Sequence, residues 1–140
     1  MYCLVGSPAI CAGVAACSSC HRIGYLGGNV GPELTRIGEV RSERDLLESV
    51  IYPSASFVRS YEPTTLVLEG GDEVHGIVRQ ETDSEWVIVT GPGAEQRLAK
   101  ATVKEMRPGT TSLMPGGFDQ VLTRQELADL LHFVKTVRWR

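Results

Sequence analysis

The chain has 140 residues, with 14 Lys and Arg against 17 Asp and Glu and a formal charge of −3, enough for one domain or for a small domain carrying a sub-domain. Basic residues form no run longer than two, so the positive stripe that a duplex-DNA or RNA binder lays against phosphates is missing, and no apolar run reaches the roughly eighteen residues of a membrane-spanning helix. Hydrophobic residues make up 42 % but aromatic residues only 6 %, a thin supply of core anchors that a bound apolar cofactor would supplement.

Residues 1–19 carry no charged side chain. The run "VAAC" ending at Cys17 has the form of a lipobox, but a signal peptide wants a basic start and an apolar stretch not interrupted by Gly6 and Pro8. The expectation is instead an upstream domain followed by a helix of small residues over 9–21. Cys3 and Cys11 lie in this weakly patterned stretch and are expected to be free thiols or a stray pair.

A glycine-rich loop, "GYLGGNVGPE", follows and has no regular period. In "SERDLLESVIYP", Ser42 is placed to cap a helix, Asp45 falls at its third position, and Leu46, Leu47, Val50 and Ile51 make an apolar stripe that Pro53 ends. Short β-branched runs then predict strands over 64–69, 73–80, 86–90, 96–99 and 103–106, with "EGGD", "ETDS" and "GPGA" as turns. Five short strands in so little chain predict a small barrel or a curled antiparallel sheet, because an open sheet of that size leaves both edges bare. The last helix is the best signalled: Thr123 and Glu126 form a capping box, Leu122 and Leu127 a staple, and Leu127, Leu130, Leu131, Val134 and Val137 share a face. Helix, sheet, helix in that order predicts an insertion, with residues 1–60 and 109–140 as one domain and 61–108 as a β sub-domain within it.

The stretch "ACSSCHRIG" carries the chemistry. Cys-x-x-Cys is shared by zinc sites, redox dithiols and haem attachment sites, and the flanking residues separate the three. Zinc wants a second ligand pair, yet after His21 there is no cysteine and only the isolated His75 and His132. A redox dithiol wants a strand before it, and "GVAAC" has no strand pattern. Cysteines at i and i+3 with a histidine at i+4 project from one face of a helical turn. That geometry suits c-type haem, with thioether bonds to Cys17 and Cys20 and an axial iron bond from His21.

A low-spin electron-transfer haem takes a sixth ligand, and a thioether raises its potential. Of the three methionines, Met114 in "TSLMPGGF" lies in a loop ahead of the capped helix, whereas Met106 falls at an apolar strand position and reads as β core, and Met1 is terminal. Met114 is therefore the expected second axial ligand. His75 and His132 are its rivals, each expected to be a solvated or partly packed imidazole.

The order "CSSCH", "GGNVGPELT", helix, "SLMP", amphipathic helix resembles class I cytochrome c. The resemblance covers the chain apart from its first few residues and the β insertion. More narrowly, "NVGPELTRIG", "LLESVIYPSASF", the strand-rich insert and "MRPGTTSLMPGGF" resemble the haem-binding domain family of planctomycete and verrucomicrobial type, which often ends larger multidomain proteins. The implied fold class is α+β: an all-α class I cytochrome c fold interrupted by a five-stranded β-barrel or curled sheet. The resemblance implies that the Pro32 carbonyl accepts the Nδ1 proton of His21 and fixes its tautomer. It further implies that Leu34 packs on the haem face, and that Arg41 is a candidate partner for a haem propionate, its alternative being a solvated charge near a helix start.

The expected function is one-electron transfer by a single covalent haem c with His21 and Met114 as iron ligands, and not enzymatic turnover, since no nucleophile, base and oxyanion site are arranged in the sequence. The rival from another class is a haem-based sensor or peroxidase-like enzyme with an open sixth position. A third hypothesis concerns the insert, whose strand order and "GxV" pattern at Gly76–Val78 look somewhat like Sm-like or SH3-like barrels. It is acidic on balance and has no stacking aromatic beyond Trp86, so a protein-docking role is expected ahead of nucleic-acid binding. The expected partners are a redox protein and other domains of a longer parent. An exported, periplasmic location follows from where thioether haem attachment occurs in the systems this chain resembles.

Overall fold

A computed structural model describes residues 15–138, and the first feature it shows is a tight 3-10 turn at Cys17–Ser19. Ala16 precedes it in the left-handed region, with φ 44°, where an L-residue's Cβ crowds the following carbonyl and no right-handed helix passes through. The helix expected over 9–21 is therefore corrected within the described residues to this single turn, while its first part, 9–14, and both Cys3 and Cys11 lie outside them. One helical repeat survives: the His21 amide donates to the Cys17 carbonyl at 2.9 Å.

Beyond the turn, the glycine-rich loop contains a minimal hairpin in place of a wholly irregular course, β1 at Arg22–Ile23 pairing with β2 at Leu26–Gly27. Two helices follow, α1 at Ile37–Val40 and α2 at Glu43–Ile51. Ser42 caps α2 as its sequence predicts, accepting from the Asp45 amide while the Asp45 carboxylate accepts from the Ser42 amide. Near the end of the chain come α3, Phe118–Val121, and α4, Arg124–Thr136, the latter started by the reciprocal Thr123 and Glu126 box. Both α1 and α2 pack on α4, and α2 also meets α3. Leu130 and Val134, one turn apart on α4, are buried together with Val30, Leu46, Phe118 and Leu122. These elements belong to one compact unit, Met1–Ala55 with Pro115–Arg140.

The other unit, Ser56–Met114, is a five-stranded antiparallel sheet. Its strands are β3 at Thr64–Leu68, β4 at Glu73–Glu81, β5 at Glu85–Gly91, β6 at Ala94–Ala99 and β7 at Val103–Pro108, in the order β6-β5-β4-β3-β7. The predicted turns join β3 to β4, β4 to β5 and β5 to β6. Leu66 and Ile88 are fully buried, and Val87 and Val89 flank Ile88 at 2 % and 5 % exposure, so both faces of β5 are covered. The unit takes in the expected 61–108 with a few residues on either side, and at its base the Gly109 amide donates to the Pro63 carbonyl at 2.8 Å.

Two expectations are corrected here. The mixed α+β class with a five-stranded antiparallel sheet is what the chain forms, but the sheet is open and not a closed barrel. Its outer strands "AEQRLA" and "VKEMRP" are almost wholly exposed and carry Glu95, Arg97, Lys104, Glu105 and Arg107, a composition that shields bare edges from further pairing. Met106, expected in the β core, is 45 % exposed, because it sits on the edge strand β7 opposite Leu66 with no further strand outside it.

Candidate functional site

The residues that the sequence singles out around position 20 are assembled by the loop that follows them. The loop is tied to the Cys17–His21 turn by backbone hydrogen bonds from Gly28 N–H to the Ser18 carbonyl and from Gly31 N–H to the Cys20 carbonyl, and to β1 just beyond it by Leu34 N–H to the Arg22 carbonyl, all at 2.9 Å. The loop thus wraps the motif and delivers Pro32 to the histidine. The His21 Nδ1–H donates to the Pro32 carbonyl oxygen at 2.7 Å.

That bond decides the tautomer. A carbonyl only accepts, so Nδ1 carries the proton and Nε2 keeps its lone pair, the form in which imidazole binds a metal. Burial lowers the His21 pKa, the Pro32 carbonyl opposing in the other direction; the ring is therefore neutral at pH 7. Gly31 lies against its face, where a Cβ would stand 2.6 Å from Cε1 and 2.9 Å from Nδ1, so only glycine lets the backbone pass this close.

Cys17 and Cys20 are free thiols, each half-buried. Burial raises the Cys17 pKa, with a backbone hydrogen bond opposing and the Cys20 charge adding to it, so Cys17 is a protonated thiol at neutral pH and not an activated thiolate. Among the described residues no three His, Cys, Asp or Glu side chains group as a metal-binding cluster. The donor set of this turn is accordingly one oriented ring nitrogen with two thiols beside it. Such a set fits a flat macrocycle anchored at its edge through sulfur and ligated at its centre through nitrogen.

Leu34 is half-buried, and in the stripe of α2 only Leu46 is buried, Leu47, Val50 and Ile51 being partly open. At the hairpin tip, Tyr25 and Leu26 are 89 % and 56 % exposed.

The remaining candidates come from other elements of the chain. Arg41 ends α1, exposed; its carbonyl accepts from Lys135 Nζ at 2.9 Å. Met114 is the last residue of the sheet unit, half-buried, its amide donating to Ser112 Oγ at 3.1 Å. His75 is on β4 with Nδ1 at 2.9 Å from Thr65 Oγ1 and a side chain 65 % exposed, and His132 is exposed on α4. The Trp86 ring is covered by Lys100, whose Nζ is 5.1 Å from its centroid.

Residues that sequence reading passed over complete the site. Thr35 Oγ1 accepts from the Gly24 amide at 2.8 Å and donates to Glu33 Oε1 at 2.5 Å. Glu33 also accepts from Arg22 at 3.1 Å. The Thr35 hydroxyl, followed by Arg22, holds the Glu33 carboxyl below its ordinary pKa. Only the clustering of glycines in "LGGNVGP" signalled a close wrap; nothing local to Thr35 or Glu33 announced their pairing with residues eleven positions earlier. Compared with family models and with curated proteins, the chain matches none.

Proposed function

We propose that this chain is a mono-haem c-type cytochrome domain of the class I kind, transferring single electrons without turning over a substrate. The observation that carries the reading is the 2.7 Å bond from His21 Nδ1 to the Pro32 carbonyl, one residue past a Cys-x-x-Cys pair, which leaves Nε2 as the donor atom. In the reading, Cys17 and Cys20 hold one haem c through thioether bonds, His21 and Met114 are its iron ligands, Leu34 packs on it and Arg41 is a candidate propionate partner. Bound there, haem c supplies a one-electron Fe(III)/Fe(II) couple.

The chain's own residues do the rest. Pro32 keeps the imidazole in one tautomer and one orientation, which cuts the reorganisation that an electron transfer would otherwise require. The Gly31 backbone restrains the ring from its face. The exposed hairpin tip and the acidic β insert are surfaces on which a redox protein, or another domain of a longer parent, is proposed to dock. An exported location is part of the same proposal, since thioether attachment belongs outside the cytoplasm in the proteins this chain resembles. No helix among the described residues is long and apolar enough to cross a membrane.

The test is an absorption spectrum of the matured protein together with extraction into acid acetone. The reading expects a c-type spectrum whose pigment stays with the polypeptide. A colourless protein, or pigment that leaves with the solvent, refutes it. An oxidised spectrum without the weak far-red band of a Met-to-Fe(III) bond would favour the sensor or peroxidase-like alternative.

A further inference from the structure

We propose that Thr35, acting with Glu33, is a positioning residue for the His21 imidazole, setting the strength of its bond to Pro32 and through it the electron affinity of the site. The proposal rests on the reading of His21 as an iron ligand.

The argument begins with where the hydrogen bonds fall. The segment 33–35 is zipped to the segment 22–24 by one backbone bond, Leu34 N–H to the Arg22 carbonyl, and by a side-chain circuit. In that circuit the Gly24 amide donates to Thr35 Oγ1, the Thr35 hydroxyl donates to Glu33, and Arg22 donates to the same carboxylate. His21 directly precedes the first segment and Pro32 directly precedes the second. The circuit therefore closes one residue away from both ends of the 2.7 Å contact and fixes the separation of the two backbones that carry it.

Its members are not equivalent. The Arg22 and Glu33 side chains are 50 % and 48 % exposed, so their ion pair is screened and weak. Thr35 is half-buried, and its side chain alone in the circuit bonds both ways, as acceptor from the backbone and donor to the carboxylate. Loss of its hydroxyl leaves the Gly24 amide without its acceptor and Glu33 with Arg22 alone as its donor, freeing the Pro32 carbonyl to draw away from Nδ1. A weaker bond from Nδ1–H makes imidazole a poorer electron donor and stabilises the oxidised iron less.

The experiment compares wild type, Thr35→Val, Thr35→Ser and Glu33→Gln as matured holoproteins. Reduction potential is measured, together with exchange of the His21 Nδ1 proton by 15N NMR. Thr35→Val is isosteric without the hydroxyl and is expected to raise the potential and speed the exchange about tenfold. Glu33→Gln shifts both in the same direction by less, and Thr35→Ser restores wild-type values. A Thr35→Val protein that loses stability while keeping the potential and exchange of wild type overturns the proposal, since it shows a purely structural role. Failure of the underlying reading is recognised separately: wild type then carries no thioether-linked haem, before any variant is compared, and the tuning claim falls with it.

Discussion

Gly38 lies directly on the backbone of Lys135: a Cβ at Gly38 would stand 2.0 Å from the Lys135 carbonyl oxygen, and Lys135 Nζ donates back to the Gly38 carbonyl at 2.7 Å. The two residues are where α1 meets α4. Because the obstacle is main chain, Gly38→Ala cannot be absorbed by a rotamer change and must push the helices apart. The expected cost is about 1–3 kcal/mol, the usual range for overpacking a close contact, read as a lower urea midpoint. An unchanged midpoint would show that the contact is looser than the geometry states.

Gly31 is the corresponding close approach at the site. Gly31→Ala puts a methyl 2.6 Å from His21 Cε1, so the ring must turn and its bond to Pro32 must lengthen. On the proposed reading of the motif as a haem c site, the expected outcome is a yield of covalently attached haem lower by roughly tenfold, in line with disturbances of groups that orient metal ligands. The measurement is the haemochrome absorbance per mole of purified chain, and a yield equal to wild type would contradict it.

Met114→Ala separates the two functional readings. If Met114 is the second iron ligand, the oxidised protein loses its weak far-red absorption, its potential falls markedly, and added imidazole binds the iron. Met106→Ala serves as the control and is expected to leave all three unchanged, since Met106 is exposed on an edge strand. A Met114→Ala protein with the spectrum of wild type would remove Met114 from the iron.

The start of α4 gives a pH dependence of known sign. The Thr123 amide and then its hydroxyl hold the Glu126 carboxyl below the ordinary carboxylate range. A carboxyl depressed in the folded state adds stability above its unfolded pKa, about 4.3 for Glu. That contribution is lost as pH falls through the lower folded value. The thermal midpoint of wild type is therefore expected to fall more steeply than that of Glu126→Gln as pH is taken from 5 down towards 3, while near pH 7 the two curves run parallel. Parallel curves over the acid range would show that the box carries no charge-dependent stability.

Much of the secondary structure was legible because its causes are local. The capping boxes at Ser42 and Thr123 are satisfied within three residues of their origin, and the strands announce themselves by β-branched runs between turn residues. Over the described part of the helix expected at 9–21 the opposite holds: small residues suit a helix by propensity, but Ala16 is left-handed and only a 3-10 turn follows it, and nothing in "GVAAC" marks that residue for a positive φ. Met106 misled because an apolar residue at a strand position does not say whether a further strand lies outside it.

The two capped helices and the five strands of the sheet were readable in the sequence, since capping and alternation act over a few residues. Only the tertiary structure decided that the β sheet stays open, that Met106 faces solvent, and that Thr35 and Glu33 reach back to Arg22 and Gly24. Those outcomes depend on which distant backbones are brought within hydrogen-bond range, and a chain's local preferences carry no record of such distances.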